Sequence, residues 1–111
     1  MVFAHRDGFA RFDRSEVSWF EWDENTLWVH GPGKPYRLVR AGQPILGDLA
    51  ALGFVLISGR CAVNIDHVKE LEPLSTGDWF VRLRNGTRMR VTPAHTGEVL
   101  RRTTRGARVL G

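Results

Sequence analysis

Trp79-Phe80-Val81-Arg82-Leu83-Arg84-Asn85-Gly86-Thr87-Arg88-Met89-Arg90-Val91 decides the fold class. Asn-Gly is the strongest short signal for a two-residue turn between antiparallel strands, because that turn needs positive φ at its centre. Trp79, Val81 and Leu83 share one face of the first arm, and Arg82 and Arg84 share the other. In the second arm Thr87, Met89 and Val91 lie on one face, opposite Arg88 and Arg90. The hairpin thus has an apolar face and an arginine face. Four guanidinium groups on one surface repel each other unless an anion or carboxylates lie near. A solvated outer face is the other meaning of this pattern.

The same signals continue upstream. Residues 8–12 alternate, and residues 17–22 are aromatic and β-prone. Asp23-Glu24-Asn25 is a turn signal, and residues 26–30 resume a strand, so the pair predicts a hairpin. Gly31-Pro32-Gly33-Lys34-Pro35 predicts a second turn, and residues 36–40 a third strand. Pro44 then opens a stretch with apolar residues at 45, 46, 49 and 52, which is helical spacing, and Gly53 ends it. Phe54-Val55-Leu56-Ile57 is a continuous apolar run, as in a buried strand. Residues 61–63 and 67–71 follow as short extended pieces, the second ended by Pro73. After the hairpin, residues 93–102 predict a short helix with Thr92 as N-cap. The class is therefore mostly β, with one or two short helices. Residues 1–102 form a single expected domain, and 103–111 a flexible tail.

The 111 residues, 42% hydrophobic, suit one packed domain and are too apolar for a disordered chain. No run approaches the roughly 18 apolar residues of a membrane span, and the N-terminus lacks a secretion signal. A cytoplasmic location is the resulting expectation. Cys61, alone and inside an apolar run, reads as a small core residue. The net charge of +4 is unevenly spread. Residues 1–70 carry 8 basic and 9 acidic side chains, whereas residues 71–111 carry 8 arginines and 3 acids. Arginine forks onto phosphate and guanine, so this half suits a polyanion. A GC-rich genome would also favour arginine.

No reaction is expected of this chain. Histidines at 5, 30, 67 and 95 have no metal-motif spacing, and one cysteine makes no zinc set. No glycine-rich phosphate loop precedes a helix, and Ser58-Gly59-Arg60 lacks the glycines of a nucleophile elbow. Adjacent Asp66 and His67 point to opposite faces of an extended segment. Neither a metal nor a cofactor is implied. Of the four tryptophans, Trp19 and Trp79 suit the core. Trp22 and Trp28 flank a turn, so one can be exposed as a stacking surface.

Residues 54–71, containing Val63-Asn64-Ile65-Asp66-His67-Val68, and residues 83–92, containing Asn85-Gly86-Thr87, together resemble the LytTR family of bacterial DNA-binding domains. Ser15-Glu16-Val17-Ser18-Trp19-Phe20-Glu21 and the segment 45–52 resemble further parts of its pattern, so the likeness spans about residues 8–102. The resemblance implies an elongated arrangement of short antiparallel sheets that binds duplex DNA as a transcription regulator. Loops at one edge enter the grooves, and two copies sit on repeated sites. It implies no membrane association, and no receiver domain is present in these residues. On this reading Asn25, Arg60 and His95 are the candidates for base contact, and Ser58, Thr92, Arg101 and Arg102 those for phosphate. Arg88 and Arg90 are further phosphate candidates, and Thr26 and Gly59 belong to the same loops. The family's motif arginine falls on Gly59, with Arg60 one place later. Two more of its arginines fall on Pro93 and Ala94. These departures leave open a rival in which the domain has lost DNA binding and serves as a protein-interaction module.

Overall fold

The computed structural model describes residues 1–39 and 46–110. Pro44, Ile45 and Arg40, which the sequence assigns to the helix start and the third strand, lie outside them. Eleven strands and two helices follow one another. They are β1 (Val2–His5), β2 (Gly8–Arg11), β3 (Trp19–Trp22), β4 (Thr26–His30), β5 (Tyr36–Val39), α1 (Leu46–Ala51), β6 (Phe54–Ser58) and β7 (Cys61–Asn64). Then come β8 (Val68–Pro73), β9 (Trp79–Leu83), β10 (Arg88–Val91), α2 (Pro93–Thr103) and β11 (Arg108–Val109). The described chain is elongated, 46 × 24 × 23 Å.

A five-stranded antiparallel sheet, ordered β5-β4-β3-β7-β6, forms the centre. Its side chains alternate between two cores, as a period of two demands. Phe20, Trp22, Leu27, Val29, Leu38, Phe54 and Ala62 point to one side, where Leu49 of α1 and Phe3, Ala10 and Phe12 cover them. Val55, Ile57, Cys61 and Val63 point to the other. There a four-stranded sheet, β10-β9-β8-β11, brings Val68, Leu71, Val81, Leu83 and Val91, and α2 brings Val99. Strands β6 and β7 are covered on both faces, which is why 54–57 is a continuous apolar run.

The deciding hairpin holds, with one change in its turn. Strands β9 and β10 pair Arg82 with Arg88 and Val81 with Met89. Leu83 N–H donates to Thr87 O at 2.8 Å, so the loop has the three residues 84–86 rather than two. Gly86 sits in the left-handed region at φ 91°, the glycine position of a three-residue hairpin loop. Half of the arginine face is neutralised from within. Arg88 pairs with Glu72 at 3.0 Å and lies over the Phe80 ring, and Arg90 pairs with Asp78 at 3.1 Å.

Two strands lie beyond the sequence reading. Strand β1 pairs with β2, though Met1–Arg6 carries no turn-bounded alternation. At the other end, α2 runs to the buried Thr103, and β11 returns to pair in parallel with β8. Within the expected tail, Arg108 and Val109 thus border β8, while residues 104–106 are exposed. Leu110 N–H donates to Leu71 O at 2.8 Å, a backbone contact that leaves no pattern in side chains.

Cys61 is 8% exposed, and burial, followed by the nearby Glu21 charge, pushes its thiol pKa from 9.0 to about 12. A thiol reagent at neutral pH should titrate it only after denaturation. The folded state keeps this proton to higher pH than the unfolded chain. Its stabilising contribution is therefore intact below 9.0 and lost as pH rises towards about 12. Urea midpoints measured at about pH 8 and about pH 10.5 should fall in that order.

Candidate nucleic-acid interface

Three chain segments meet at one edge of the central sheet. The β3–β4 turn carries Asp23, Glu24 and Asn25, and Trp22 N–H donates to Arg60 O at 3.0 Å, which binds this turn to the β6–β7 turn. That second turn carries Ser58, Gly59 and Arg60, and its strands shift register between Leu56 and Ser58. Thr92 N–H donates to Ile57 O at 2.8 Å, which sets the start of α2 against the end of β6. Asn25, Ser58, Gly59, Arg60, Thr92 and His95, distant in sequence, thus share one end of the fold.

Asn25 and Arg60 are exposed and face the same depression, lined also by Arg37. Asp23 shapes it: its carboxylate accepts the backbone N–H groups of Asn25 at 3.0 Å and Thr26 at 2.8 Å. Those two bonds hold the Asp23 pKa below the ordinary carboxylate value, with smaller help from the Arg60 and Arg37 charges. The turn is therefore fixed while the Asn25 side chain points outward. Among the described residues Arg60 and Arg37 have no ion-pair partner within 4.0 Å; Asp66, the carboxylate nearest to Arg60 in sequence, pairs instead with Arg14 at 2.9 Å. Arg37 is a cation of this edge that the sequence reading missed. It lies in β5, outside every motif, and only the pairing of Trp28 with Arg37 brings it there.

Gly59 is exposed, its φ is not in the left-handed region, and a Cβ there would meet nothing within 4 Å. The glycine is not what turns Arg60 outward. Ser58 is half-buried, and its hydroxyl accepts Arg60 N–H at 3.3 Å. Thr26, at 8% exposure, has almost no surface to offer.

At the start of α2, Thr92 occupies the N-cap position without a side-chain cap bond. Its hydroxyl lies 3.2 Å from Ile57 O and 2.7 Å from His95 Nδ1. One hydroxyl has one hydrogen. If it goes to Ile57 O, His95 Nδ1 carries the other proton and Nε2 of the neutral ring is an acceptor. The later arginines are engaged with the protein. Arg101 pairs with Glu98, while Arg102 donates to Phe54 O at 2.7 Å and Ala50 O at 3.0 Å. Arg102 clasps α2 to β6 and α1. With Arg88 and Arg90 already paired, Glu72, Asp78 and Glu98 are each taken by an arginine.

Tryptophan surface remains on both larger sheets, with Trp79 half-buried on β9. Trp22 is buried, and Trp28 is half-buried with the Arg37 guanidinium 5.7 Å from its ring centre. Trp19 stacks on the His30 ring at 3.5 Å, and His30 Nε2 lies 3.0 Å from a Glu21 oxygen.

No family model and no curated protein matches the chain. Among solved structures it is similar to a LytTr DNA-binding domain of a methyl-accepting/DNA response regulator from Bacillus cereus. The TM-score is 0.68 and the identity 17%, over 91% of this chain and 93% of that one. The order of strands, the two short helices and the mostly β content are therefore those of the LytTr DNA-binding domain fold.

Proposed function

We propose that the protein binds double-stranded DNA through the edge formed by the β3–β4 turn, the β6–β7 turn and the start of α2, and regulates transcription without catalysing a reaction. One observation carries this reading: Asn25, Arg60 and Arg37 face one depression, and among the described residues neither guanidinium has an ion pair within 4.0 Å, although Asp23 and Glu24 line the same depression. A bidentate arginine suits guanine O6 and N7, and an outward asparagine suits adenine. His95, fixed at Nδ1 by the Thr92 hydroxyl, stands beside them as the third candidate for a base edge. Ser58 and Thr92 sit beside these positions as phosphate contacts. Arg88, Arg90, Arg101 and Arg102 shape the fold in the free protein, and their ion pairs would have to open to reach phosphate. Cytoplasmic location and pairing of two copies on repeated sites belong to the same proposal.

The engagement of those four arginines favours the second reading, a protein-interaction module. Fluorescence anisotropy on duplex DNA decides between them. Log affinity should fall linearly with log salt, at about −0.9 per neutralised phosphate, between about 50 and about 200 mM. No binding at about 50 mM, or binding insensitive to salt, puts the protein module ahead.

A further inference from the structure

At the far end of β7 from Arg60, a second cavity of 300 Å³ opens between the hairpin loop and the end of α2. Four residues of β7 separate the two places, roughly 13 Å of extended chain. Ile65 and Val68 line the cavity, and Arg84, Arg102 and Arg105 converge on it with Asp66. Three separate elements hold these arginines. Arg84 N–H donates to His67 O at 2.9 Å, which fixes the base of the hairpin loop. Arg102 is clasped by Ala50 O and Phe54 O and pairs with Glu98 at 4.0 Å, so it forms the fixed wall of the cavity while, among the described residues, Arg84 and Arg105 supply the free cations. Arg105 lies in the turn closed by Gly106 N–H on Thr103 O at 3.2 Å. The one carboxylate present does not offset them, because Asp66 already pairs with Arg14. Among the described residues Arg84 and Arg105 have no ion pair within 4.0 Å.

Two unpaired cations beside one cavity repel each other, and an anion between them relieves that. An apolar wall with the two forked donors of Arg84 and Arg105 suits a tetrahedral oxyanion, and arginine matches phosphate oxygens two at a time. A volume of 300 Å³ is at the small end of ligand sites. We propose that this cavity binds the phosphate group of a small molecule, at a site separate from the edge that Arg60 occupies. The site stands whether or not that edge binds DNA.

The test is calorimetric titration of the folded protein with inorganic pyrophosphate at constant ionic strength. Arg84→Gln/Arg105→Gln is the comparison, since both side chains are exposed and neither has an ion pair among the described residues. Saturable binding that weakens at least about tenfold in the double variant, with an unchanged melting temperature, is expected. Arg84→Lys/Arg105→Lys should recover part of it, since the charge returns without the fork. No saturation up to about 10 mM, or equal binding by the glutamine variant, overturns the proposal. A DNA arm identifies the source of the phosphate. A salt slope unchanged in the double variant supports a small ligand, whereas a slope smaller by about two assigns the cavity to the duplex backbone and overturns the small-molecule reading.

Discussion

Asn64→Leu should lower folding stability by about 3 kcal/mol, seen as a reduced urea midpoint at unchanged slope. Asn64 is fully buried at the end of β7. Its side-chain amide donates to Arg14 O at 3.1 Å and Val17 O at 3.0 Å, and its oxygen accepts Asp66 N–H at 3.0 Å. One side chain thus ties the 3-10 turn Arg14–Glu16 to the 3-10 turn Ile65–His67. Leucine has similar bulk, so no large cavity forms. The cost is that of Val17 O and Asp66 N–H left without partners, about 1–3 kcal/mol for each buried group, while Arg14 O keeps Val17 N–H at 3.2 Å. Asn64→Asp should also destabilise, because it keeps the acceptor for Asp66 N–H but sets a charge against two carbonyl oxygens. A loss under about 1 kcal/mol for the leucine variant would mean that water replaces the amide.

Arg60→Ala should cost about 1–3 kcal/mol of binding on the preferred DNA site and relax preference at one base pair. The guanidinium is exposed, without an ion-pair partner among the described residues, and carried on a turn braced by the Trp22 bond to its own carbonyl. Little stability should therefore be lost, and a melting curve close to the parent's separates binding from folding. A phosphate role would look different: all sequences would weaken about equally, and the salt slope would shrink by about one. Cognate and scrambled duplexes compared at two salt concentrations distinguish these results. If neither changes, Arg60 leaves the proposed interface. Gly59→Arg is a further probe, since the backbone there is ordinary and the space open.

Sheet formation was legible wherever side chains alternate. The hairpin around Asn85-Gly86, the buried run 54–57 and the helix after Thr92 each carry their own periodicity. What escaped is held by backbone or by distant partners. Strand β11 is two residues long, and its bonds to β8 are made by main-chain groups. The candidate edge shows the same division. Turn residues Asn25 and Arg60 stand out in the sequence, but Arg37 reaches them only through strand pairing. Charge was legible as a total and not as an allocation. Eight arginines in residues 71–111 suggest a polyanion, yet Glu72, Asp78 and Glu98 claim four of them through pairings that only tertiary structure creates.

Strand β11 also bears on how the protein behaves at high concentration. Without it, the outer side of β8 would present unpaired N–H and C=O groups to any extended chain, a template for intermolecular pairing. Two residues occupy that margin, the first a charged Arg108, and so short a border gives an incoming strand little to extend. Removing residues from 104 onward would open it at Glu70 and Leu71 and should convert a dispersed solution into one that self-associates, visible as a rising light-scattering signal before any loss of β-sheet circular dichroism.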